Sequence, residues 1–468
     1  MTVARELAKY ALGLTFEDLP EEVVHEAKRA ILDAFGCAIG AYSGEACKII
    51  RDLSLELDGP KESTVIGSGL RASCFNAILA NGIMVRYLDF NDTYLIPVGT
   101  HVSGGHPSEV IPGALALGER EHSKGWDVIT AIVIGYELSA KFIDFECALP
   151  PTAITTGIAG RGWNPDTRGI FVMPVVAGKL LGLSEDEMEH AIGISGCHNM
   201  ILGIVDTHGE EYSMIKSLRL PLTAYSGVMA AFMAKKGFTG PTRVIEGNKG
   251  FVQTVMGGDF NVEELTQFGK RFKILDTMYK SIAADATTHG HITATLELVK
   301  EHDIKPEEIA EVKITASTRD TEHTGDPMKR FPKIKEMADH SSYYLTAVAI
   351  LDRKVGPDQF TPQKLEDHRI REMINKISME ADPSLDHFGK AGISEIKTKR
   401  GMTYKRRVEY PKGDPHNPMT DQELEDKFRS MAEKFMIEKQ IRKLIATIYE
   451  MEKLDDINEL MKATVFKD

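Results

Sequence analysis

The stretch VVHEAKRAILDAFGCAIG, residues 23–40, shows the helical pattern that is typical of the first half of the chain. Its apolar residues recur at the spacing of one helix face: Val23, Val24, Ala27, Ala30, Ile31, Ala34, Phe35, Ala38 and Ile39. Pro20 followed by Glu21 and Glu22 is typical of a first helical turn. The first N–H groups of a helix have no acceptor within it, so a proline there loses no hydrogen bond, and carboxylates are favoured by the positive end of the helix. The stretch therefore predicts a helix that ends near Gly40.

The same small-residue helical pattern continues to about residue 235 and changes after about residue 300. EVKITASTRD (311–320) and NKISMEAD (375–382) alternate apolar and polar residues, which indicates strands, and SYYLTAVAILD (342–352) predicts a helix between them. ISEIKTK and MTYKRRVEY flank Arg400-Gly401 and predict a hairpin. Helix returns after Thr420, which forms a capping-box pattern with Glu423. We expect a mainly α protein with a smaller α+β domain inserted into a helical domain.

Composition restricts the classes of function. The chain has 468 residues with 56 Lys+Arg and 69 Asp+Glu, a formal net charge of −13, so nucleic acid and anionic membranes are not expected partners. No apolar run approaches the roughly 20 residues that a membrane helix needs, and the N-terminus has no signal-peptide pattern. The 5 cysteines form no C-x-x-C pair, which fits a reducing compartment. We expect a cytoplasmic protein.

The densest polar cluster is LDFNDTYLIPVGTHVSGGHPSEV, residues 88–110. His106 directly precedes an apolar helical run, and a helix N-terminus favours a neutral imidazole that can accept a proton near pH 7. An Asx-turn with a helix cap is the structural alternative. A calcium loop is disfavoured because the required Gly and terminal Glu are missing, and His101 and His106 lack the spacing of a helical zinc pair.

Three further clusters have both a functional and a structural interpretation. Lys216 and Arg219 stand three residues apart at a probable helix start, where they could bind a carboxylate or be solvated surface charges. Lys280, His289 and His291 lie where the helical pattern gives way to the α+β pattern. They could line a cleft between two domains or lie in an exposed loop. Tyr343 and Tyr344 could be packed aromatics. The chain contains no G-x-S-x-G, Walker A or H-E-x-x-H motif.

Taken in order, these segments resemble the MmgE/PrpD family. The collinear set is LDFNDT, GHPSEVIP, GRGW, KSLR, MYK with TTH, ADHSSYYLTAVAILD and GDPHNPMTDQELEDKF, from about residue 5 to 460. The family includes 2-methylcitrate dehydratase, cis-aconitate decarboxylase and iminodisuccinate epimerase. The resemblance implies a helical domain formed by residues 1–265 and 411–468, an α+β lid domain formed by residues 266–410, and a homodimer.

The resemblance also implies roles for individual residues. Asp89 and Thr93 match the family's D-F-x-D-T motif, His106 its H-P-S motif, and Lys216 its K-x-L segment. Lys280 and His289 match its K-x8-H segment, and Tyr344 matches a tyrosine eight residues before an aspartate. We expect catalysis by Asp89, His106, Lys216 and Lys280, with substrate contacts from Thr93, Ser108, Arg219, His289 and Tyr344. Lys216, Lys280 and the amides after His106 are expected to hold substrate carboxylates, while His106 and Asp89 act as acid and base in an order left open.

Some residues depart from the family pattern. Asn164, Asp285 and Arg219 stand where many members have histidine, and IPVGTHVSGG is longer than in the decarboxylases, which argues against cis-aconitate decarboxylase. The expected activity is a hydro-lyase that dehydrates a 2-methylcitrate-like di- or tricarboxylate, as in propionate catabolism, with no cofactor and no metal. An epimerase or isomerase of a small dicarboxylate is the alternative, and an inactive binding homologue is a third. We also expect His106, Lys216 and Lys280 to converge on one pocket.

Overall fold

The structure is a computed structural model that describes residues 1–57, 59–98, 101–147, 157–257 and 260–466. Its α-helices, α1 to α18 in chain order, are Val3–Gly13, Glu21–Gly40, Glu45–Glu56, Cys74–Tyr87, Val110–Glu121, Gly125–Cys147, Met173–Leu181, Glu185–Ser195, Ile215–Lys235, His289–Glu301, Thr318–His323, Lys335–Ala338, Ser342–Asp352, Pro362–Leu365, His368–Ile374, Asp421–Ala432, Glu438–Tyr449 and Asn458–Ala463. Its strands, β1 to β8, are Ser63–Thr64, Arg71–Ala72, Tyr94–Val98, His101–Gly105, Ile309–Ala316, Ile377–Ala381, Gly392–Thr398 and Thr403–Val408. None of the described helices is both long and apolar enough to cross a bilayer.

The helical body is formed by both ends of the chain. Helix α2 packs against α4 and against α16, which comes from the last 50 residues of the chain. Gly36 favours this close approach, because a Cβ there would stand 2.8 Å from Met431 Cε and 3.3 Å from the backbone Cα of Phe428, so both neighbours would have to shift. Helix α9 packs against α4, α7 and α8 on another side. The expected mainly α fold with a smaller α+β part is confirmed, whereas the domain boundaries stay a prediction.

The second half of the chain contains a four-stranded sheet of order β6-β5-β7-β8. β5 pairs in parallel with β6 and antiparallel with β7, and β7 and β8 form the expected hairpin. Alternate residues of β5 are buried, among them Val312 and Ile314, because one face of the sheet is covered by α10. The parallel β5–β6 pair requires a long crossover, which contains α13, the helix expected between these strands.

A second hairpin lies inside the polar cluster at residues 88–110, where no strand was expected. β3 pairs antiparallel with β4, with Tyr94 opposite Gly105 and Val98 opposite His101. Pro97 and the two glycines at 104–105 are depleted in strands, so propensity predicts a loop here. Packing of Tyr94 against Ala140 and Ile143 of α6 stabilises the strand instead. The hairpin places His106 directly after β4.

Candidate active site

One cavity of about 420 Å³ brings together the polar clusters singled out in the sequence. Its lining comes from both halves of the chain. The first half provides Arg86, Asp89, Thr93, His106, Asn164, Asp166 and Arg219, and the second half provides Lys280, Asp285, Arg319, His323 and His340. A volume of this size suits a small molecule with several polar groups.

Asp89 lies at the centre of the charged groups. It follows the end of α4 with φ 49°, in the left-handed region, a conformation that costs energy for a non-glycine residue and is concentrated at functional sites. Its side chain is 1% exposed and accepts from Arg86 Nη1 at 2.8 Å, Lys216 Nζ at 3.1 Å and Lys280 Nζ at 2.6 Å. Burial alone would raise the pKa of Asp89, but the three cations hold it well below its usual value. The carboxylate is therefore ionised.

The two predicted lysines occupy different positions around Asp89. Lys280 lines the cavity and also donates to the Asp89 carbonyl oxygen at 3.1 Å. Lys216 is 1% exposed, lies outside the cavity lining and has a second carboxylate, Asp339, at 3.9 Å. Burial lowers the pKa of Lys216, although the neighbouring carboxylates of Asp339 and Asp89 act to raise it. The alternative that Lys216 is a solvated surface charge is wrong.

His106 is held in one tautomer. Its Nδ1 lies 2.7 Å from the carbonyl oxygen of Asp92, and because a carbonyl can only accept, Nδ1 carries the proton and Nε2 has a free lone pair. Burial, together with the charges of Arg86 and Lys280, keeps the pKa of His106 well below its usual value. The ring is therefore neutral at physiological pH and suited to accept a proton.

The backbone amides after His106 already have acceptors within the chain. Pro107 has no N–H, and the Ser108 amide donates to the Asp92 carboxylate at 3.2 Å. Ser108 is fully buried, and its hydroxyl accepts from Asn91 at 3.0 Å. Substrate contact by Ser108 stays a prediction that this geometry does not favour, because a carboxylate of the chain itself already accepts from its amide. Thr93 does line the cavity and donates its hydroxyl to the Gly105 carbonyl.

Arg219 lines the cavity but is fully paired. Its guanidinium contacts Asp166 at 2.6 Å and Asp206 at 3.0 Å and donates to the Lys216 carbonyl oxygen at 2.7 Å. The carboxylates raise the pKa of Arg219 despite its burial. Asn164 joins this network by donating to Asp206 at 2.6 Å. Arg219 is thus a buried, paired charge, and the surface alternative for it is wrong. Substrate contact by Arg219 stays a prediction.

His289 and Tyr344 lie outside the cavity lining. His289 is fully buried at the start of α10, and neither ring nitrogen has a hydrogen-bond partner in the described part of the chain. Burial and the nearby Lys280 charge lower the pKa of His289 to about 3, so the ring is neutral. The Tyr344 hydroxyl donates to the Gln359 carbonyl oxygen at 2.5 Å. Direct substrate contact by either side chain stays a prediction that this geometry does not favour.

Sequence reasoning missed several members of the site. His340 bridges two carboxylates, with Nδ1 at 2.7 Å from Asp339 and Nε2 at 3.3 Å from Asp285. His323 contributes a second imidazole at 3.8 Å from Asp285. Arg86 is the i−3 partner of Asp89. The available signal was the Asp339-His340 pair before α13, since adjacent titratable residues at a helix start often mark a site.

Two groups of three side chains have the spacing of metal ligands: Asp285, His323 and His340, and Asp89, Asp339 and His340. The donor atoms of each group lie within 4.8 Å of one another. Lysines already compensate the second group, because Lys216 and Lys280 bind Asp89 and Lys335 binds Asp339 at 2.7 Å. A dication there would meet these positive charges at close range. In the first group, Asp285 contacts the two imidazoles.

Comparison with known proteins identifies the family. The profile of the MmgE/PrpD N-terminal domain matches residues 5–263, and that of the MmgE/PrpD C-terminal domain matches residues 283–451. The chain belongs to the MmgE/PrpD family. The resemblance stated from the motifs is thereby confirmed.

The chain is similar to decarboxylases and to dehydratases. The cis-aconitate decarboxylases of Mus musculus and Aspergillus terreus are 25% and 24% identical to this MmgE/PrpD chain, over 98% of it and 93% and 95% of their own lengths. The 2-methylcitrate dehydratase of Salmonella typhimurium is 22% identical, over 79% of this chain and 76% of its own. The sequence departures that argued against a decarboxylase therefore coexist with full-length similarity to decarboxylases.

Proposed function

We propose that this protein is a lyase that removes a proton from carbon next to a carboxylate of a small polycarboxylate. The observation that supports the proposal is the neutral His106 beside the Lys280–Asp89–Arg86 charge cluster in one cavity. A base with a free lone pair and cations that stabilise developing negative charge are the two requirements of such a step.

In the proposed mechanism His106 Nε2 takes the proton, and the C–H electron pair forms the new C=C bond. The hydroxyl on the adjacent carbon leaves with a proton from the Lys280 ammonium, so that water is released. Asp89 does not donate a proton, since it is ionised. It holds Lys280 and Lys216 in position instead. A carboxylate whose pKa is held well below its usual value is also a weak base, which supports His106 as the base in this proposal.

The finer proposal is dehydration of a 2-methylcitrate-like substrate. The dehydratase relatives and the acid–base pair support it. The second candidate is decarboxylation of cis-aconitate, which the full-length similarity to decarboxylases favours. The two reactions differ in their product, water in one case and carbon dioxide in the other, so one experiment separates them.

The test incubates the purified full chain with 2-methylcitrate, with cis-aconitate and with small dicarboxylates, and follows products by proton NMR and carbon dioxide release. A new alkene signal from 2-methylcitrate supports dehydration, and carbon dioxide from cis-aconitate supports the second candidate. Inversion of a stereocentre without loss of mass would support the epimerase alternative. The matched control is His106→Gln, which retains a polar side chain without the base. If this variant were as active as the parent chain, or no substrate reacted, the proposal would be refuted.

The proposal extends to the setting of the enzyme. A cytoplasmic homodimer remains our expectation, and sedimentation of the full chain at several concentrations tests the dimer.

A further inference from the structure

Arg319 differs from the other cations of the cavity. It stands on α11 and lines the cavity from the second half of the chain. Within residues 1–57, 59–98, 101–147, 157–257 and 260–466, no carboxylate lies within 4 Å of its guanidinium, and no hydrogen bond from it is present. A guanidinium at the wall of a cavity that has no partner among these residues is available to a ligand.

The other lining cations are already compensated. Arg86 and Lys280 share Asp89, at 2.8 and 2.6 Å. Arg219 has two carboxylates. An incoming anion would have to compete with these carboxylates, whereas it would meet Arg319 without competition.

The helix that presents Arg319 is firmly anchored. The Thr318 amide donates to Asp386 at 2.7 Å, and Asp320 accepts from Thr287 at 2.8 Å and from Thr324 at 2.5 Å. The residues on each side of Arg319 are therefore held by hydrogen bonds, while Arg319 itself is partly buried. A side chain on a fixed backbone loses less freedom on binding than one on a loose loop.

The charge of Arg319 reaches the cavity interior. It contributes to lowering the pKa of His323 and that of Lys329, which falls to about 8 with burial as the main cause. Glu322, three residues on, also lines the cavity but makes no ion pair with Arg319 in the part of the chain that is described. Arg319 thus has no direct counter-ion on this wall among the described residues.

We propose that Arg319 binds the substrate carboxylate farthest from His106 and so selects three-carboxylate over two-carboxylate molecules. The inference rests on the proposed function, because it names the substrate class of the same cavity. Lys280 and the groups around Asp89 hold the reacting end. Arg319 binds the remaining carboxylate through its planar pair of N–H donors, a geometry that a lysine ammonium does not reproduce.

The test measures binding, which does not require turnover. Isothermal titration calorimetry compares propane-1,2,3-tricarboxylate with glutarate and methylsuccinate, each of which lacks one carboxylate. The proteins are the parent chain, Arg319→Ala, Arg319→Lys and the control Arg371→Ala, an exposed arginine of α15 in the same half of the chain. The parent chain is expected to prefer the tricarboxylate.

In Arg319→Ala we expect tricarboxylate affinity to fall roughly 10- to 100-fold, as for loss of one partner of a desolvated charge pair, with a much smaller change for the dicarboxylates. Arg319→Lys should recover part of the loss, and Arg371→Ala should match the parent. Equal losses for all three ligands, no loss in Arg319→Ala, or no tricarboxylate preference in the parent chain would overturn the inference. Selective loss in a protein that turns over none of the panel would uphold Arg319 and refute only the proposed function.

Discussion

Replacing Asp89 with asparagine removes the carboxylate that Arg86, Lys216 and Lys280 share. The shape of the side chain stays nearly the same, so the change is mainly one of charge. Breaking a buried ion pair by removing one partner costs about 3–5 kcal/mol, because the remaining charge is left uncompensated in a poorly solvated place. Asp89 has three such partners and is 1% exposed. We therefore expect the free energy of unfolding of Asp89→Asn to fall by an amount at the upper end of that range.

The matched control is Asp33→Asn. Asp33 is also buried and binds a single lysine, Lys427, at 2.6 Å outside the cavity lining. Burial raises the pKa of Asp33, whereas the pKa of Asp89 is lowered. Replacing Asp33 with a neutral asparagine should therefore lower the free energy of unfolding less than Asp89→Asn does. We also expect Asp33→Asn to keep most of its turnover.

The assay is urea denaturation at pH 7 and at pH 3, followed by circular dichroism, with turnover measured in parallel. Since the folded-state pKa of Asp89 is depressed, its stabilisation is present above the unfolded-state pKa and disappears as pH falls through the folded-state value. The stability difference between the parent chain and Asp89→Asn should thus be large at pH 7 and shrink in acid. Equal losses in the two variants, or a difference that grows in acid, would refute the assignment of Asp89 as the shared counter-ion.

Three further outcomes are expected. His106→Ala should lower kcat by roughly 10²–10⁴-fold while the urea midpoint changes little; unchanged kcat would reduce His106 to a structural role. The pKa of His106 is lowered well below its usual value. We therefore expect kcat/KM to stay constant as pH falls past the ordinary histidine pKa of about 6.5 and to decline only at lower pH. A decline that already begins at or above that value would contradict a neutral His106 base. Dialysis against EDTA should leave turnover intact, since lysines already pair with Asp89 and Asp339. Loss of activity restored by a divalent ion would contradict this and would point to Asp285, His323 and His340, the group that no lysine contacts among the described residues.

The sequence predicted those parts of the fold that depend on local periodicity. Helix α2, the strand pair β7–β8 and the Thr420 capping box all appear where the pattern placed them. The hairpin β3–β4 was missed because its stability comes from contacts with α6, about 45 residues further along the chain. Tertiary packing overrode local propensity there.

The site was predicted in outline, through residues whose types and spacing were unusual. Asp89, His106 and Lys280 do lie in one cavity. The sequence could not show that Arg219 would be enclosed by Asp166 and Asp206, because these partners are 53 and 13 residues distant. Nor could it show that the Ser108 amide would be used by Asp92. Such pairing depends on three-dimensional neighbours, and it decides whether a charge is available to a ligand.

The packing of α2 against α16 also affects how the protein is made. Gly36 meets its neighbours Phe428 and Met431 only after roughly 390 further residues have left the ribosome, which takes on the order of 20 to 80 seconds at typical rates of synthesis. Throughout that interval one apolar face of an early helix has no covering partner and is exposed to other nascent chains. Molecular chaperones that shield such faces should therefore raise the yield of folded protein, and a chain truncated before residue 421 should aggregate rather than fold.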